Sequence, residues 1–488
     1  MSKYIVTITP PTPNGNLHLG HIAGPFLAAD VLARGLRQQG HEVVFLCYSD
    51  DYQSYVLRKA IELSTERFKL AATFAAEIEP TLKLAGISLD WFLKAYNNPY
   101  FSDAVTFFYE QAHASGAIKT RVDMVPYDPE HNVYGYEAFG RGTCNFCGHE
   151  SDASQCEHCA QAPDLHKMGP IRGTTFGGVM DWKEMPREFL QLHRYKNRLL
   201  DHYRSIPLRS YLRNFIEAVF AREDLDWPID RPGECGIEIR TASHSNVIHT
   251  WFSGIAGYLA AFTEWADRIG KPRLVKEFWY DQETNIVHFV GFDCSFSHAI
   301  VYPSLLHNCE GMTRNVHLFP NKFLKLEGKD FSTSRGIAIW VNDILRDAPL
   351  DAVRTYLALH SPEEEVCNFE RKDFDDWTFN FFLPALRRLE QVLSQEPPSG
   401  MDALAPEDQW VDDELMAAWR KFSSLEHFSM RRVADVLCRL LRHINTISEA
   451  ALHRLWPLAK RYVLMGMSIH PNWSEAMLQR IHAPHAAF

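Results

Sequence analysis

Two histidines separated by a leucine and a glycine are the first residues whose types and spacing could do chemistry. They lie in the run PPTPNGNLHLGH, which follows an apolar segment and precedes a stretch with helical spacing. A helix N-terminus offers free N–H groups and partial positive charge, so phosphate binds there readily. His18 and His21 could donate hydrogen bonds to phosphate oxygens, Gly20 lets a ligand approach the backbone, and Asn14 begins the turn that aims them. A polar loop with a helix cap is the other interpretation.

A second loop, KLEGKDFSTSRG at residues 325–336, is rich in hydrogen-bond donors. Basic and hydroxyl side chains at such density could bind a polyphosphate group as it leaves. The same residues could instead form a solvated loop that caps the next helix. The donors that we single out are Lys325, Lys329, Ser332, Ser334 and Arg335.

Four of the ten cysteines form two CxxC pairs, whereas the other six are scattered singly along the chain. Two CxxC turns present four thiolates tetrahedrally and leave no open coordination position. The spacing therefore predicts a structural zinc site rather than disulfides. Four buried free thiols are the alternative. The predicted ligands are Cys144, Cys147, Cys156 and Cys159.

The first loop lies between segments that predict a β-α-β unit. Strand 4–8 leads through the loop into a helix at 20–39, and a second buried strand follows at 43–47. A parallel pair with a helical crossover belongs to a doubly wound sheet, which binds ligands at the carboxyl ends of its strands. Asp51 follows the second strand, so it and the histidine loop should lie at the same edge.

The rest of the chain predicts an interrupted α/β domain and a helical tail. Helical spacing dominates 55–115, after which the chain becomes rich in glycine and cysteine with short strand-like runs. Strand-like runs return at 246–251 and 285–290, so we expect the sheet to resume after an insertion. The C-terminal part is nearly all helical in pattern, and a linker at 395–413 separates one long helix from three more.

Composition limits the classes of protein further. A chain of 488 residues with 46% hydrophobic side chains can form roughly three domains with buried cores. The start of the chain has no secretory pattern, and no uncharged apolar stretch of about eighteen residues occurs, so we expect a cytoplasmic protein without a membrane partner. The net charge of −11 argues against a generally basic nucleic-acid-binding surface. The segment after residue 415 is locally basic, so a patch for a nucleic-acid backbone stays open.

Taken together, the two loops resemble the HIGH and KMSKS signatures of class I aminoacyl-tRNA synthetases. The first signature is His18-Leu-Gly-His21 here, and the second is Phe331-Ser-Thr-Ser-Arg335. Over nearly the whole chain the order of features is similar to the methionyl-tRNA synthetase family. The further matches are the PxxPNGxxHLGH start, the Asp-Asp pair that ends at Asp51, Gly142-Thr-Cys-Asn-Phe-Cys-Gly148, Trp251 and Tyr258, His288-Phe-Val-Gly-Phe-Asp293, and His298.

The resemblance implies an α/β fold in which a Rossmann-type parallel sheet is split by a zinc-knuckle insertion and followed by an all-α bundle. The expected regions are the first half of the catalytic domain at 1–117, the connective insertion with the knuckle at 118–230, the second half of the catalytic domain at 231–325, the KMSKS-like loop with a stem-contact region at 326–375, and a helical anticodon-binding-like domain at 376–488.

The resemblance also implies ATP with Mg²⁺ and structural Zn²⁺ as cofactors, with the two histidines and the second loop as catalytic groups. Asp51 would hold the ammonium group of the amino acid, and Trp456 would stack on an anticodon base of tRNA. The residues that would contact ATP are Asn14, Gly20, Gly291, Asp293 and Lys325. The residues that would bind the amino acid are Thr12, Asp51, Trp251, Tyr258, Ser297 and His298.

Several positions depart from the family's pattern. Asp330 and Thr333 stand where the KMSKS loop has lysines, Thr12 replaces a tyrosine, and Ser253 replaces an acid. Buried hydroxyls that find no partner cost about 1–3 kcal/mol each. Hydroxyls at Thr12 and Ser297 would therefore suit a thioether side chain poorly.

Three functions follow from these observations. The default is activation of L-methionine to an adenylate, with tRNA as acceptor. The first alternative is a paralogue that activates a different amino acid for tRNA-independent biosynthesis, such as transfer to a small-molecule nucleophile in a nitrogen–nitrogen bond-forming pathway with a cupin partner. The second alternative is a non-catalytic tRNA-binding or regulatory protein. Leucines fill the positions of helix 379–395 that read the anticodon in the family, which argues against tRNA as a partner.

Overall fold

The computed structural model describes residues 2–223, 225–239, 246–331, 337–395 and 403–482. Its strands, in chain order, are β1 (Lys3–Ile8), β2 (Glu42–Ser49), β3 (Trp91–Lys94), β4 (Ile118–Asp128), β5 (Val133–Tyr134), β6 (Gly140–Thr143), β7 (Glu150–Asp152), β8 (Arg172–Gly173), β9 (Asp181–Gln191), β10 (Asp226–Pro228), β11 (Asp230–Arg231), β12 (Ile237–Glu238), β13 (Val247–Ile248), β14 (Asn285–Gly291), β15 (Val316–Asn321), β16 (Leu324–Leu326), β17 (Lys329–Asp330) and β18 (Cys367–Phe369).

The α-helices, in the same order, are α1 (Leu19–His21), α2 (Leu27–Gln38), α3 (Ser54–Glu62), α4 (Arg67–Leu84), α5 (Pro99–Ala114), α6 (Lys196–Ser205), α7 (Ser210–Phe220), α8 (Thr250–Arg268), α9 (Leu274–Trp279), α10 (Tyr302–Leu306), α11 (Val341–Asp347), α12 (Leu350–Leu359), α13 (Arg371–Trp377), α14 (Leu383–Leu393), α15 (Ala417–Phe422), α16 (Met430–Thr446), α17 (Leu452–Gly466) and α18 (Pro471–His482).

A parallel five-stranded sheet, in the order β15-β14-β1-β2-β3, forms the centre of the fold. β1 lies in the middle, where Tyr4 is opposite Asn285 on one side and Val43 on the other. The strands are apolar almost throughout because both faces of a parallel sheet are covered. The predicted parallel sheet is confirmed, and the strands predicted at 4–8, 43–47 and 285–290 belong to it. β3, within the mostly helical segment 55–115, and β15 are additions.

A kinked helix forms the crossover from β1 to β2. α1 continues through a wide helical turn at Ile22–Phe26 into α2, so the helix predicted at 20–39 is present but interrupted. Pro25 cannot donate a helical hydrogen bond, and Gly24 departs from helical geometry. A Cβ atom on Gly24 would collide with the side chain of Asn321. The kink therefore lets the crossover lie close against the carboxyl end of β15.

The insertion is built on a long antiparallel ribbon. β4 and β9 pair from Ile118 opposite Leu190 to Tyr127 opposite Asp181, with β10 and β5 along the ribbon's edges. A separate sheet in the order β7-β6-β8 carries the cysteine turns. Short strands were predicted for this segment, but β4 and β9 are long. Two helices, α6 and α7, follow the ribbon.

The strand predicted at 246–251 is wrong for most of its length. Only β13 is extended, and it pairs with β11 and β12 in a small separate sheet rather than with the central one. α8 begins at Thr250, where the His249 side chain accepts a hydrogen bond from the Trp251 N–H. Val, Ile, Thr and Trp favour strands, but a cap at this point starts a helix instead.

The C-terminal helices share one hydrophobic core with the central sheet. Arg354 on α12 is buried and joins the two parts, since it donates to Asp30 on α2 at 2.6 Å and to the Ile469 carbonyl before α18 at 2.8 Å. The linker predicted at 395–413 ends too late, because a helical turn begins at Val411 and leads into α15. Four helices rather than three follow it. In the described part of the chain, no helix is long and apolar enough to span a membrane.

Candidate active site

The segment before the two histidines forms the predicted turn. The Asn14 N–H donates to the Thr12 carbonyl at 2.9 Å, and both side chains are half-buried. Space is open beside Gly15, where a Cβ atom would meet no atom within 4 Å. The Asp50 N–H donates to the Pro11 carbonyl at 3.1 Å, which joins this loop to the loop after β2.

The two histidines cap the first helix with their own side chains. Nδ1 of His18 accepts from the Gly20 N–H at 3.1 Å, and Nδ1 of His21 accepts from the His18 N–H at 3.1 Å. Burial, with a smaller effect from His21, lowers the pKa of His18 to about 2, and burial lowers the pKa of His21 to about 4. A neutral imidazole that accepts at Nδ1 carries its proton on Nε2. The cap therefore fixes both rings as uncharged Nε2–H donors.

The chain on either side of residues 332–336 contacts the histidine loop. The Phe331 ring stacks on His18 with 4.8 Å between the ring centroids. Beyond the loop, the Leu19 N–H donates to the Ile339 carbonyl at 3.0 Å, and the Val341 N–H donates to the Leu17 carbonyl at 3.1 Å. The histidine loop thus has both of these flanking segments as neighbours.

The charged residues of the second loop are only partly covered by the structure. Lys325 lies on β16 and forms an ion pair with Asp330 on β17 at 3.6 Å, and Lys329 is exposed beside it. Asp330 thus offsets one of the positive charges. The predicted catalytic residues Ser332, Ser334 and Arg335 lie outside the described residues.

Asp51 is a buried carboxylate with one satisfied oxygen. Its Oδ2 accepts from the Ser49 hydroxyl at 2.9 Å and from the Tyr96 N–H at 2.7 Å. Oδ1 is buried and has no hydrogen-bond partner among the described residues. Burial raises the pKa of Asp51 to about 6. Because a buried polar atom without a partner is unfavourable, Oδ1 is suited to receive a cationic ligand group.

Tyr258 and His298 form a buried polar pair beside the carboxyl end of β1. Nδ1 of His298 lies 3.0 Å from the Cys294 carbonyl, and Nε2 lies 3.1 Å from the Tyr258 hydroxyl, which is also 3.2 Å from the Ile8 carbonyl. Burial lowers the pKa of His298 to about 3, so the ring is neutral. The Ser297 hydroxyl donates to the Cys294 carbonyl at 3.0 Å. This hydroxyl is satisfied within its own turn and does not require a polar ligand.

His288, to which the sequence analysis gave no role, lies at the centre of this cluster. It is fully buried on β14, with Nδ1 2.6 Å from the Thr7 hydroxyl and the ring centroid 5.0 Å from that of Tyr258. Nε2 has no partner among the described residues. A histidine in the middle of an apolar strand was the available signal, since burial without a reason is unfavourable for imidazole.

The end of β14 brings Gly291 and Asp293 to the same edge. The carboxylate of Asp293 folds back over Gly291, where a Cβ atom would collide with it. Burial, with a smaller effect from the nearby charge of Glu157, raises the pKa of Asp293 to about 6. Gly291 therefore lets this carboxylate lie close against the backbone, and its place beside a nucleotide stays a prediction.

A buried ion cluster that the sequence analysis missed holds Trp251 in place. Glu137 accepts from the Ser54 hydroxyl at 2.9 Å and from Arg231 at 3.2 Å, and His249 lies 3.8 Å away. Glu137 has a φ of 49°, which is unusual for a residue with a side chain. The cluster fixes the starts of α3 and α8, and Trp251 is half-buried in the first turn of α8.

These groups lie together because the central strands are parallel. β1, β2 and β14 end at Ile8, Ser49 and Gly291, all at the carboxyl edge of one sheet. The histidine loop follows β1, the Asp51 loop follows β2, and the His298 turn follows β14. This is the edge at which open α/β sheets bind ligands.

The four predicted zinc ligands form a compact cluster in the insertion. Their sulfur atoms all lie within 4.8 Å of one another, with 3.7 Å between Cys144 and Cys159 and 3.6 Å between Cys147 and Cys156. Tetrahedral zinc with bonds of about 2.3 Å places its sulfurs about 3.8 Å apart. The donor set and its spacing therefore fit one Zn²⁺ with no open coordination position.

The predicted tRNA contact of Trp456 gains no support from its position. Trp456 on α17 is only 6% exposed and belongs to the core shared by the sheet and the bundle. Stacking on a base needs an exposed ring face, so the contact stays a prediction from the sequence. The helix carries apolar residues on the side that packs inward, and Trp456 lies on that side.

Comparison with known proteins agrees with this geometry. A family model described as tRNA synthetases class I (M) matches residues 4–380. A methionine--tRNA ligase of Pyrobaculum aerophilum is 30% identical over 488 residues, covering 97% of this chain and 85% of the relative. Corresponding ligases of Christiangramia forsetii and Salinibacter ruber are 30% and 28% identical. They cover 90% and 76% of this chain, but the chain spans only 65% and 54% of their lengths.

The fold has counterparts among solved structures. Mycobacterium tuberculosis methionyl-tRNA synthetase bound by methionyl-adenylate superposes with a TM-score of 0.74 at 17% identity, covering 99% of this chain and 96% of that one. At this identity the likeness concerns the fold. The family match spans more than half of the chain, and the predicted resemblance is thereby confirmed. The chain belongs to the class I (M) family of tRNA synthetases.

Proposed function

We propose that the chain activates an amino acid with ATP, forming an aminoacyl adenylate and releasing pyrophosphate, with L-methionine as the amino acid and tRNA as the acceptor. The observation that carries the proposal is the meeting of two kinds of group at one sheet edge. One kind is the pair of neutral imidazole donors on His18 and His21. The other is Asp51, whose buried carboxylate has one oxygen without a partner.

The histidine pair suits a reaction at the α-phosphate. The carboxylate of the amino acid attacks phosphorus, and negative charge grows on the phosphate oxygens as pyrophosphate departs. Little covalent help is needed, because positioning and charge stabilisation supply most of the catalysis of such displacements. The two neutral imidazoles would stabilise that charge through their Nε2–H groups, together with the helix N-terminus. Because they donate in their neutral form, they would do so over a wide pH range.

Asp51 suits the ammonium group that every amino acid carries. The free Oδ1 would accept from the ammonium, and Tyr96 and Ser49 hold the other oxygen in place. The Tyr258–His298 pair and His288 form one cluster at the same sheet and would face the side chain of the substrate. Trp251, Thr12 and Ser297 would complete the amino-acid side of the site.

Methionine is favoured over the first alternative by two observations. The relatives that share 28–30% identity with the chain are named methionine--tRNA ligases. One of the two hydroxyls that argued for a different amino acid, on Ser297, is satisfied by the Cys294 carbonyl. Those names also argue for tRNA as acceptor, against the doubt raised by helix 379–395. A cupin partner and a non-catalytic role gain no support and stay predictions from the sequence.

The remaining assignments are proposed on the same basis. ATP with Mg²⁺ would lie beside Asn14, Gly20, Gly291 and Asp293, and Zn²⁺ would be held by the four cysteines, where it supplies a structural cross-link. Lys325, Lys329, Ser332, Ser334 and Arg335 would bind the leaving pyrophosphate. The regions expected from the sequence, with boundaries after residues 117, 230, 325 and 375, are kept as a proposal for the domain division.

Direct detection of the intermediate tests this proposal. Incubation of the full chain with ATP, Mg²⁺ and methionine should yield methionyl-AMP by mass spectrometry, and addition of methionine tRNA should convert it into charged tRNA. Adenylate with another amino acid alone would contradict methionine as the substrate. Adenylate that is never transferred to tRNA would contradict tRNA as the acceptor.

A further inference from the structure

Two exposed histidines stand on the outer side of the cysteine cluster. Each follows a cysteine by two residues, as Cys147-Gly-His149 in one turn and Cys156-Glu-His158 in the other. His149 follows the second cysteine of its CxxC pair, whereas His158 lies between the two cysteines of the other pair. Their rings stack with 3.5 Å between the centroids and an interplanar angle of 14°.

The turn geometry explains why His149 comes back to the cluster. The Cys144 N–H donates to the His149 carbonyl at 2.8 Å, and the Gly148 N–H donates to the Cys144 carbonyl at 2.9 Å. Gly148 has a φ of 76°, the left-handed conformation that reverses the chain at this point. One hydrogen bond of the His149 ring is present, between Nδ1 and the Cys147 carbonyl at 3.3 Å, and it leaves Nε2 for a ligand.

The two imidazoles and the Cys147 thiol form a second group whose ligand atoms are close enough to meet one metal ion. One ligand atom from each of the three residues lies within 4.8 Å of the others. The two stacked rings must turn for their in-plane lone pairs to converge on an ion. Cys147 belongs to both groups. It is half-buried, whereas Cys144 and Cys156 are buried, so its sulfur is one that remains accessible from the outer side.

We propose that His149, His158 and the Cys147 thiolate bind a second divalent zinc ion, with Cys147 bridging the two metals and water in the fourth position. Imidazole and thiolate are the ligands that zinc prefers, and three protein ligands plus water is a common zinc coordination. Four thiolates around one Zn²⁺ leave a net negative charge, which favours another cation beside them. A thiolate has lone pairs enough to bind two metals.

The second zinc would bind more weakly than the first. Its histidines are exposed and must give up rotational freedom, and one of its ligands is shared. We therefore expect one tightly held zinc and a second that a competing chelator removes first. The second ion would cover the accessible sulfur of Cys147 and tie the two CxxC turns together from outside.

Zinc content measured on the full chain tests the inference. Protein equilibrated with micromolar free Zn²⁺ and analysed by plasma mass spectrometry should carry two equivalents, and a mild chelator should leave one. The His149→Ala/His158→Ala variant should carry one equivalent under both conditions. A matched His113→Ala/His453→Ala variant, which loses two exposed histidines on α5 and α17, should still carry two.

The outcomes separate this inference from the proposed knuckle. One equivalent in the unaltered chain would overturn the second site and leave the knuckle intact. Two equivalents in the His149→Ala/His158→Ala variant would place the second ion elsewhere and overturn it too. No bound zinc at all would overturn both. Alkylation gives an independent readout, since iodoacetamide should modify Cys147 several-fold faster in the variant than in the unaltered, zinc-saturated chain.

Discussion

Replacing Asp51 by Asn should weaken binding of the amino acid without lowering the stability of the fold. The unpaired Oδ1 of Asp51 is the proposed partner of the substrate ammonium. Truncating one partner of a buried, hydrogen-bonded charge pair weakens binding by about 2–5 kcal/mol. The KM for the amino acid should therefore rise roughly 30-fold to several thousand-fold, because each 1.4 kcal/mol is a factor of ten. The KM for ATP should change little.

The same replacement should not destabilise the free protein. Burial raises the pKa of Asp51 from 3.8 to about 6, so the folded chain binds this proton more tightly than the unfolded chain does. The ionised carboxylate then opposes folding above pH 6, by about 3 kcal/mol at pH 7. This penalty is absent below the unfolded pKa and grows as pH rises through the interval from about 4 to 6. An Asn side chain carries no such penalty.

Steady-state exchange kinetics and urea unfolding at pH 7 measure the two effects. Asp51→Asn should show a raised amino-acid KM together with an equal or higher free energy of unfolding, and Asp103→Asn, on the exposed face of α5, should change neither. In the unaltered chain the amino-acid KM should rise as pH falls below about 6, because protonated Asp51 cannot pair with ammonium. A normal KM in Asp51→Asn, or a KM of the unaltered chain that stays flat down to pH 5, would refute the proposed role.

The other predictions concern the phosphate site, the zinc site and the junction with the bundle. His18→Ala and His21→Ala should each lower the rate of adenylate formation tens-fold or more, and unchanged rates in both variants would argue against the phosphate site. In the unaltered chain the exchange rate should show no titration of either ring above pH 5, since their pKa values lie at about 2 and 4. Cys144→Ser should release the knuckle's zinc and lower the thermal stability of the insertion, measured by metal analysis and limited proteolysis, and a zinc-free chain that resists protease as well as before would contradict the cross-link. Arg354→Met should lower the free energy of unfolding by about 1–3 kcal/mol, because buried Asp30 loses one of its two arginine partners and the buried Ile469 carbonyl loses its donor. A loss below 1 kcal/mol in urea unfolding would disprove it.

The parts of the fold that the sequence predicted are those that depend on local patterns. The apolar runs of β1, β2 and β14 show that they are buried on both faces, and the Gly-His pattern between β1 and the crossover helix marks a loop at a helix start. The CxxC spacing needs nothing beyond two tight turns to bring four sulfurs together. Such features are encoded within a few residues, so they can be inferred before any tertiary contact is known.

The errors arise where tertiary contacts override the local pattern. Strand-forming residues at 246–251 mostly start α8, because His249 caps the helix and Glu137 anchors its first turn. β3 is too short to interrupt a long helical pattern, but the edge of β2 pairs with it. Trp456 lies in a sequence pattern typical of a recognition residue, but helix packing that no single segment specifies buries its side chain.

The residue types at the site were predictable from the sequence, but their hydrogen-bonding states were not. The sequence indicated His18, His21 and Asp51 as a group, since two strands of one parallel sheet end beside them. That Nδ1 of each histidine is occupied by a backbone N–H, and that one oxygen of Asp51 is free, depends on atomic positions set by the whole fold. His288 escaped notice because its role depends on neighbours from three separate segments.

Amino-acid-dependent ATP–pyrophosphate exchange, measured on the full chain with each of the twenty standard amino acids and with several N-hydroxylated ones, is the most direct test of the proposed activity. We expect exchange with methionine, with a raised KM for methionine in Asp51→Asn, and charging of methionine tRNA when that tRNA is added. Exchange with a different amino acid and no transfer to tRNA would instead identify a biosynthetic activating enzyme. Absence of exchange with every amino acid would contradict amino-acid activation itself.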